Sequence, residues 1–225
     1  MLDREPSLLA SRTGQGEYAE QPPSSFHIYT WTIGQNLSPL QVAAQFDQPE
    51  AHDLLSALIT SPKDRFIAAC VGGRAAEVEA LLRDTPDLLD ELSAAEQRVL
   101  PDAAWVGDAA AVELMLRLGF HPAALGQDGG TVLHCAAWQG AAECIEVALR
   151  HRGVRMLIER RDPVHDSTPL GWCFHGARFC RNPQGDYPAV ARMLLRAGAK
   201  VGPNLGDAPE ELLAVVRASG GGEGA

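Results

Sequence analysis

The stretch Thr131-Val-Leu-His-Cys-Ala-Ala-Trp-Gln-Gly140 decides the fold of this chain. Its apolar residues recur at helical spacing, and Gly140 stands where a helix would end, because glycine readily adopts the left-handed backbone of a helix C-terminus. A second helix is predicted directly behind it, with apolar residues at Ile145, Val147, Ala148 and Leu149. The stretch therefore predicts a helix–turn–helix unit.

The same unit recurs along the chain. The copy at Arg98 lies 33 residues before the one at Thr131 and repeats the alanine pair and the closing glycine at Ala103, Ala104 and Gly107. Helices this short need a neighbouring copy to cover their apolar sides, so the copies are expected to stack. The predicted copies start near Ser38, Asp64, Arg98, Thr131 and Thr168.

This repeated pattern resembles the ankyrin repeat, whose period is about 33 residues. The resemblance implies an all-α ankyrin-repeat solenoid of about five helix–turn–helix repeats with short β-turn or hairpin loops. It also implies that His134 bonds to the backbone of a neighbouring loop and joins two repeats. The residues that match the structural motif are Thr131, His134, Gly140, Thr168, Pro169, Gly107 and Gly73.

The sequence predicts three segments in order. Residues 1–25 are rich in Ser, Gly, Gln, Glu and Pro and are expected to form a disordered leader. Residues 26–218 form the predicted repeat domain, in which 26–32 is a short strand or capping segment and 208–218 is a capping helix with Asp207 as its N-cap. Residues 219–225 are predicted to be a flexible tail.

Composition points to a soluble intracellular protein. The 225-residue chain carries a net charge of −10, and it has neither an apolar stretch long enough for a membrane span nor a secretory signal. Its Ala, Arg and Gly content favours a bacterial cytoplasmic origin, and a monomer is expected. The arginines of residues 150–161 are the best nucleic-acid candidate, but the overall acidity and the lack of a nucleic-acid motif argue against it.

The five cysteines do not form a disulfide or zinc pattern. Most fall in slots that ankyrin repeats fill with small apolar residues, so buried thiols are the simpler interpretation. The alternative is a metal-binding or enzyme-like site, because Cys173, His175 and Cys180 lie close together in sequence. No motif for catalysis or for cofactor binding is present, so neither is predicted.

The residues that follow the alanine pair are the best candidates for binding a protein partner. In ankyrin repeats these slots lie on the concave side, and here Trp105 and Trp138 fill the same slot of adjacent copies, about 10 Å apart at the usual helix spacing. The indole rings either form a recognition surface or fold down to cover a seam between repeats. The other candidates in or near these slots are Val71, Val106, Gln139 and His175.

An insertion at residues 178–186 lengthens the connection between the helices of the fifth copy. Its turn-forming residues predict an exposed loop, and insertions in repeat proteins often emerge on the binding face. Phe179, Arg178 and Arg181 are therefore candidates for contact with a partner at the rim, although an inert loop fits equally well. A regulatory or immunity-type partner of an enzyme or toxin would be one form of such a binding protein.

Overall fold

The structure is a computed structural model that describes residues 8–9, 11–13, 37–180, 182–202 and 208–220. All regular elements in these residues are helical. The strand or capping segment predicted at 26–32, the predicted N-cap Asp207, and most of the predicted leader and tail lie outside the described residues. The chain divides into two compact units, Met1–Glu96 and Gln97–Ala225.

The described residues of the first unit contain two helix pairs. Helix α1 (Pro39–Gln45) is followed by α2 (Pro49–Leu58), and α3 (Pro62–Val71) is followed by α4 (Ala75–Asp84) and a short 3-10 turn, Pro86–Leu88. Helix α1 packs against both α2 and α3. Helices α1 and α3 begin with proline behind a serine whose hydroxyl accepts a backbone N–H bond, which is a favourable start for a helix.

Where the structure describes it, the second unit contains three helix pairs and two additional helices. The pairs are α5 (Val99–Trp105) with α6 (Ala109–Leu118), α7 (Val132–Gln139) with α8 (Ala142–Leu149), and α10 (Pro169–Phe179) with α11 (Tyr187–Arg196). A 3-10 turn, Gln127–Gly129, precedes α7, and the short helix α9 (Arg152–Arg155) follows α8. Helix α12 (Glu210–Ala218) is the last element and has Pro209 as its N-cap.

The helices of the second unit lie in two rows. Helix α7 packs against α5 on one side and α10 on the other, whereas α8 packs against α6 and α11. The first helices of the pairs thus form one row and the second helices form the other, and α12 packs against α11. This arrangement is expected when each pair is too short to bury its apolar side alone.

The core of the first row repeats with the sequence. Leu100, Leu133 and Leu170 occupy equivalent slots of α5, α7 and α10, and each is at most 1% exposed. Burying a leucine side chain contributes about 1.5–3 kcal/mol relative to leaving it in water. The recurring leucine therefore positions these three first helices in the same way.

Glycine at the end of the first helix is required by backbone geometry. Gly107 and Gly140 follow α5 and α7 with φ of 82° and 68°, in the left-handed region. A side chain is disfavoured there because its Cβ would clash with the backbone. Each glycine lets the chain reverse sharply into the second helix of the pair. Within the described residues, no helix is both long and apolar enough to cross a membrane.

Candidate functional site

Four aromatic rings from the first helices of the second unit form a continuous row. The Trp105 and Trp138 rings are stacked, with centroids 6.2 Å apart and planes 8° from parallel. The Trp138 and His175 centroids are 5.5 Å apart, and those of His175 and Phe179 are 4.4 Å apart. We call these four residues the aromatic row. The 6.2 and 5.5 Å distances lie within the range in which aromatic pairs attract each other, and the 4.4 Å distance lies just below its lower limit.

Exposure increases along the aromatic row. Trp105 is only 7% exposed, Trp138 is half-buried, and His175 is exposed. Phe179 ends the row with 55% of its surface exposed. The ring centroids are therefore closer than the roughly 10 Å expected from helix spacing. Of the two alternatives for the indoles, the structure shows Trp105 packed and Trp138 half-buried. The rings lean toward each other and stack, so Trp105 is largely covered.

A cation lies at the exposed end of the aromatic row. The Arg178 guanidinium carbon is 4.9 Å from the centroid of the Phe179 ring, which is within cation–π range. Burial lowers the pKa of His175, and electrostatic interactions with His165 and Arg178 lower it further. His175 is therefore held as a neutral ring at physiological pH, while Arg178 supplies the positive charge.

The length of α10 explains why Phe179 reaches the aromatic row. In α7 the equivalent slot holds Gly140, which ends the helix, whereas in α10 that slot holds Ala177. Alanine favours helix, so α10 continues to Phe179. Two residues assigned from sequence to an interhelical loop, Arg178 and Phe179, are instead helical, and this correction places Phe179 one turn beyond His175.

The remainder of the insertion packs on the end of α7 rather than projecting as an independent loop. The Tyr187 hydroxyl donates to the Trp138 carbonyl at 3.2 Å, and the Asn182 side-chain amide donates to the Gln139 carbonyl at 3.0 Å. The Asp186 N–H donates to the Gly140 carbonyl at 2.9 Å. These bonds satisfy the last carbonyls of α7, which have no partner within their own helix.

Trp172 lies beneath the aromatic row and was not singled out from the sequence. Its ring meets Trp138 edge to face at 6.2 Å and meets His134 in the same way at 5.3 Å. It is 5% exposed, and its indole N–H donates to Asp162 Oδ2 at 2.9 Å. Trp172 follows Gly171 in the fifth copy, and its size alone could have marked it as a core anchor.

Asp162 organises the loop that precedes α10. Its Oδ1 accepts bonds from the Val164 and His165 N–H groups at 2.9 and 2.6 Å, and its Oδ2 accepts from Ser167 N–H at 3.1 Å and from Trp172. Burial alone would raise the pKa of this carboxyl, but the four hydrogen bonds outweigh it and lower the pKa. Asp162 therefore holds the loop and Trp172 together as a carboxylate.

His134 joins two loops of the second unit. Its Nδ1 accepts from the Thr131 N–H at 3.2 Å at the start of α7, and its Nε2 donates to the Ser167 carbonyl at 3.1 Å. Burial lowers the pKa of His134, so the ring stays neutral and can both accept and donate. The loop before α7 and the loop before α10 are thus bonded through a single side chain.

The helix pairs, their glycine-ended first helices and the histidine link between loops define a known architecture, and a solved structure shares it. The chain is similar to the crystal structure of the human ASB11 ankyrin repeat domain, with a TM-score of 0.51 and 21% sequence identity over 81% of this chain and 84% of that chain. This protein has an ankyrin-repeat fold. The predicted all-α ankyrin-repeat solenoid is confirmed.

Two other comparisons give no match. No family model matches the chain, and no curated protein matches it. The ankyrin-repeat assignment therefore rests on the three-dimensional likeness together with the repeat motif in the sequence.

The other predicted partner-binding residues have different environments. Val71 belongs to the first unit and is 7% exposed, so it is covered rather than presented. Val106 caps α5 with 36% exposure, and Gln139 is half-buried and bonded to the insertion. Arg181 lies outside the described residues.

The motif residues occupy helix ends. The Thr168 hydroxyl accepts from the Gly171 N–H at 3.2 Å and caps α10, and Pro169 is the first residue of that helix. Gly73, with φ of 63°, lies in the turn between α3 and α4. These residues therefore shape the repeats and do not line the aromatic row.

The alternative metal site is not formed. The Cys173 thiol is buried beside the Tyr187 carbonyl at 3.5 Å, whereas the Cys180 thiol lies beside Gln139 at 3.6 Å and His175 joins the aromatic row. No group of three or more His, Cys, Asp or Glu side chains suited to a metal ion occurs in the described part of the chain. Burial raises the pKa of Cys173, so its thiol is neutral in the folded protein.

The remaining cysteines are also buried thiols. Cys70, Cys135 and Cys144 are fully covered, and burial raises the pKa of each, to about 12 for Cys144. Cys180 is the half-buried exception among the five. All five are free in the structure, in agreement with the prediction of unpaired, mostly buried cysteines.

Proposed function

We propose that this ankyrin-repeat protein binds a protein partner through the exposed end of the aromatic row, without catalysis, and does so as a monomer. The observation that carries the proposal is Phe179, a large apolar ring that is 55% exposed and continuous with the exposed His175. Exposed aromatic groups beside arginine are typical of the residues that dominate binding energy at interfaces. Repeat proteins commonly present such surfaces to partners.

The contacts beneath the exposed rings of the aromatic row make this surface suitable for binding. Trp105 and Trp138 stack below the exposed rings, and the insertion is bonded to the end of α7, so the surface is preorganised. A surface that is already ordered loses less conformational entropy on binding. Trp105 itself contributes support, because it is too covered to contact a partner.

The test replaces exposed rings rather than buried ones. A partner captured from the lysate of the source cell is purified, and its affinity is measured for the native chain and for the His175→Ala/Phe179→Ala variant. Because both side chains are exposed, the variant should keep its native melting temperature. We expect its affinity to fall by at least about tenfold, the effect of losing a hot-spot residue.

A matched control removes an exposed apolar side chain outside the aromatic row. Leu125 is 41% exposed in the same unit, so Leu125→Ala deletes comparable apolar surface. This control should bind the partner as the native chain does. Equal affinity of the native chain and the His175→Ala/Phe179→Ala variant would move the binding site away from the row.

A further inference from the structure

Helix α2 of the first unit is held in place by few side chains. Its buried residue is His52, which is 3% exposed, whereas Leu55 and Ser56 on the same side of the helix are half-buried. Among the described helices, α2 packs chiefly against α1. The surroundings of one histidine therefore have a large share in keeping α2 on the rest of the unit.

The ring of His52 is bonded to an arginine of the next helix pair. The guanidinium of Arg74, the N-cap residue of α4, lies 3.0 Å from His52 Nδ1. Arginine can only donate hydrogen bonds, so Nδ1 accepts and the neutral ring carries its proton on Nε2. The Nε2 atom is buried and has no hydrogen-bond partner among the described residues. His52 therefore joins α2 to the start of α4 as a neutral ring.

Protonation of His52 is incompatible with this bond. A proton on Nδ1 would face the Arg74 guanidinium, and two positive charges at so short a distance repel each other. The charged ring would also keep its Nε2–H in a buried position without an acceptor, which is costly for a cation. The link between α2 and α4 therefore opens when the ring is charged.

Acidic side chains lie beside both members of the pair. Asp53 Oδ1 is 3.7 Å from His52 Nδ1, and 82% of the Asp53 side chain is exposed. Glu77 Oε2 is 3.9 Å from the Arg74 guanidinium, and the other Glu77 oxygen is 4.0 Å from Arg65 of α3. Helix α1, on which α2 packs, contains no titratable side chain. Because water screens the exposed Asp53, its attraction does not offset the direct contact with the guanidinium.

We propose that His52 and Arg74 form a pH-sensitive switch that releases α2 from α4 in acid. The proton binds to Nδ1, the atom that accepts the arginine bond in the closed form. The charged His52 ring then moves outward and pairs with Asp53. The freed Arg74 pairs with Glu77. Histidine is the side chain that gains its charge between about pH 8 and pH 5, so mild acidification is sufficient for release.

The direction of the pH effect follows from proton binding. The released His52 ring offers a free Nδ1 to a proton, whereas in the closed form this atom is occupied by the Arg74 donor. The state that binds more protons gains population as the pH falls. The closed form therefore dominates near neutral pH, and the released form gains in acid.

The switch is separate from the aromatic row. His52 and Arg74 belong to the first unit, whereas the four rings of the row belong to the second. Substitution of either switch residue leaves those rings unchanged. The two proposals can therefore fail separately.

Hydrogen exchange of the full chain tests the switch. It is measured by mass spectrometry at about pH 8 and about pH 5 and corrected for the intrinsic effect of pH on exchange. His52→Asn keeps an accepting oxygen near the position of Nδ1 and does not titrate. Arg74→Gln keeps an N–H donor and removes the charge. His121→Asn alters an exposed histidine of the second unit and is the matched control.

We expect the protection of α2 in the native chain to fall by on the order of tenfold at the lower pH, because one proton changes a population by at most tenfold per pH unit. His52→Asn should protect α2 equally at both pH values. Arg74→Gln should show a smaller fall, since the charged ring no longer faces a cation. His121→Asn should behave like the native chain, and α6, which contains no histidine, should stay equally protected throughout.

Two outcomes would overturn the proposal directly. One is equal protection of α2 in the native chain at both pH values. The other is an undiminished pH response of α2 in His52→Asn, which would assign the response to another group. If His52→Asn leaves α2 unprotected at both pH values, Arg74→Gln decides, and an undiminished response in that variant overturns the switch.

Discussion

At the scale of single residues, Asp162 has the widest influence in the second unit. Its two carboxylate oxygens accept four N–H bonds, which hold the loop before α10 and the indole of Trp172 in place. Trp172 in turn supports Trp138 from below. A buried carboxylate that accepts this many bonds is strongly favoured over its protonated form.

Asp162→Asn is expected to destabilise the protein by about 1–3 kcal/mol at pH 7, the cost of leaving buried polar groups unpaired. An asparagine has one accepting oxygen, so in either orientation its amide group faces two N–H donors. Urea unfolding of the native chain and the variant measures this difference. Glu143→Gln, an exposed carboxyl in the same unit, should have no measurable effect.

The same substitution predicts a pH dependence. Because the folded protein lowers the pKa of Asp162, the stabilisation is present above the ordinary aspartate pKa of about 3.9 and is lost as the pH falls through the lowered value. The stability difference between the native chain and Asp162→Asn should therefore shrink below about pH 4. A difference that stays constant down to acid unfolding would contradict the carboxylate role.

At the scale of elements, the residue at which each first helix ends determines which side chains the repeat exposes. Helix α7 stops at Gly140, and the insertion from the next pair packs directly against that glycine. Helix α10 has no such stop and carries Phe179 to the surface. The residue in this slot therefore determines where the first helix ends. Gly140 ends α7, whereas Ala177 lets α10 continue and extend the aromatic row.

Gly140→Ala and Gly107→Ala form a matched pair that separates backbone strain from steric conflict. Both glycines have positive φ, so each alanine costs about 1–2 kcal/mol in strain. A Cβ at Gly140 would also lie 2.8 Å from Gly185 Cα, whereas a Cβ at Gly107 has no described atom within 4 Å. Gly140→Ala should therefore lower the urea midpoint further, and equal losses would show that the insertion yields easily.

At the scale of the whole molecule, the two helix rows of the second unit end at α12. Leu212, Val215 and Val216 of α12 are buried, and α12 packs against α11. In a repeat protein each pair is stabilised chiefly by its neighbours, so the end of a row opens more easily than its centre. Helix α12 therefore protects the last pair of helices.

Leu212→Ala should weaken this end selectively. The side chain is fully buried, so its truncation is expected to cost about 2–5 kcal/mol. Hydrogen exchange measured by mass spectrometry should become faster in α11 and α12 and stay unchanged in α5 and α6. Leu213→Ala, at a half-buried position, is the control and should have a smaller effect. Uniformly faster exchange across the second unit would contradict local opening.

The sequence predicted the repeats well because they depend on local patterns. The recurring leucine marks the first helices of the second unit, and the alanine pair and the closing glycine mark α5 and α7, without knowledge of their neighbours. The position of the Trp138 ring within its repeat was also predictable, by counting residues from the start of each copy. The stacking of Trp105 and the role of Asp162 were not, because both depend on which side chains meet after the chain has folded.

The extension of α10 was a different kind of error. Gly185 and Asn182-Pro183 are turn signals, and they predict a loop that begins at residue 178. Ala177 favours helix, so α10 continues to Phe179 and ends before the turn signals at residues 182–185. Arg178 and Phe179, which the sequence predicts to lie in a loop, are therefore part of α10.

The stacked indoles of Trp105 and Trp138 give the protein an optical property of its own. Two parallel rings with centroids 6.2 Å apart couple their electronic transitions, so they absorb circularly polarised light as a pair rather than as two chromophores. This pair lies directly beneath the proposed binding surface. Any tilt of α7 against α5 changes the coupling, and the near-ultraviolet spectrum of the unlabelled protein thereby reports on the joint between two repeats.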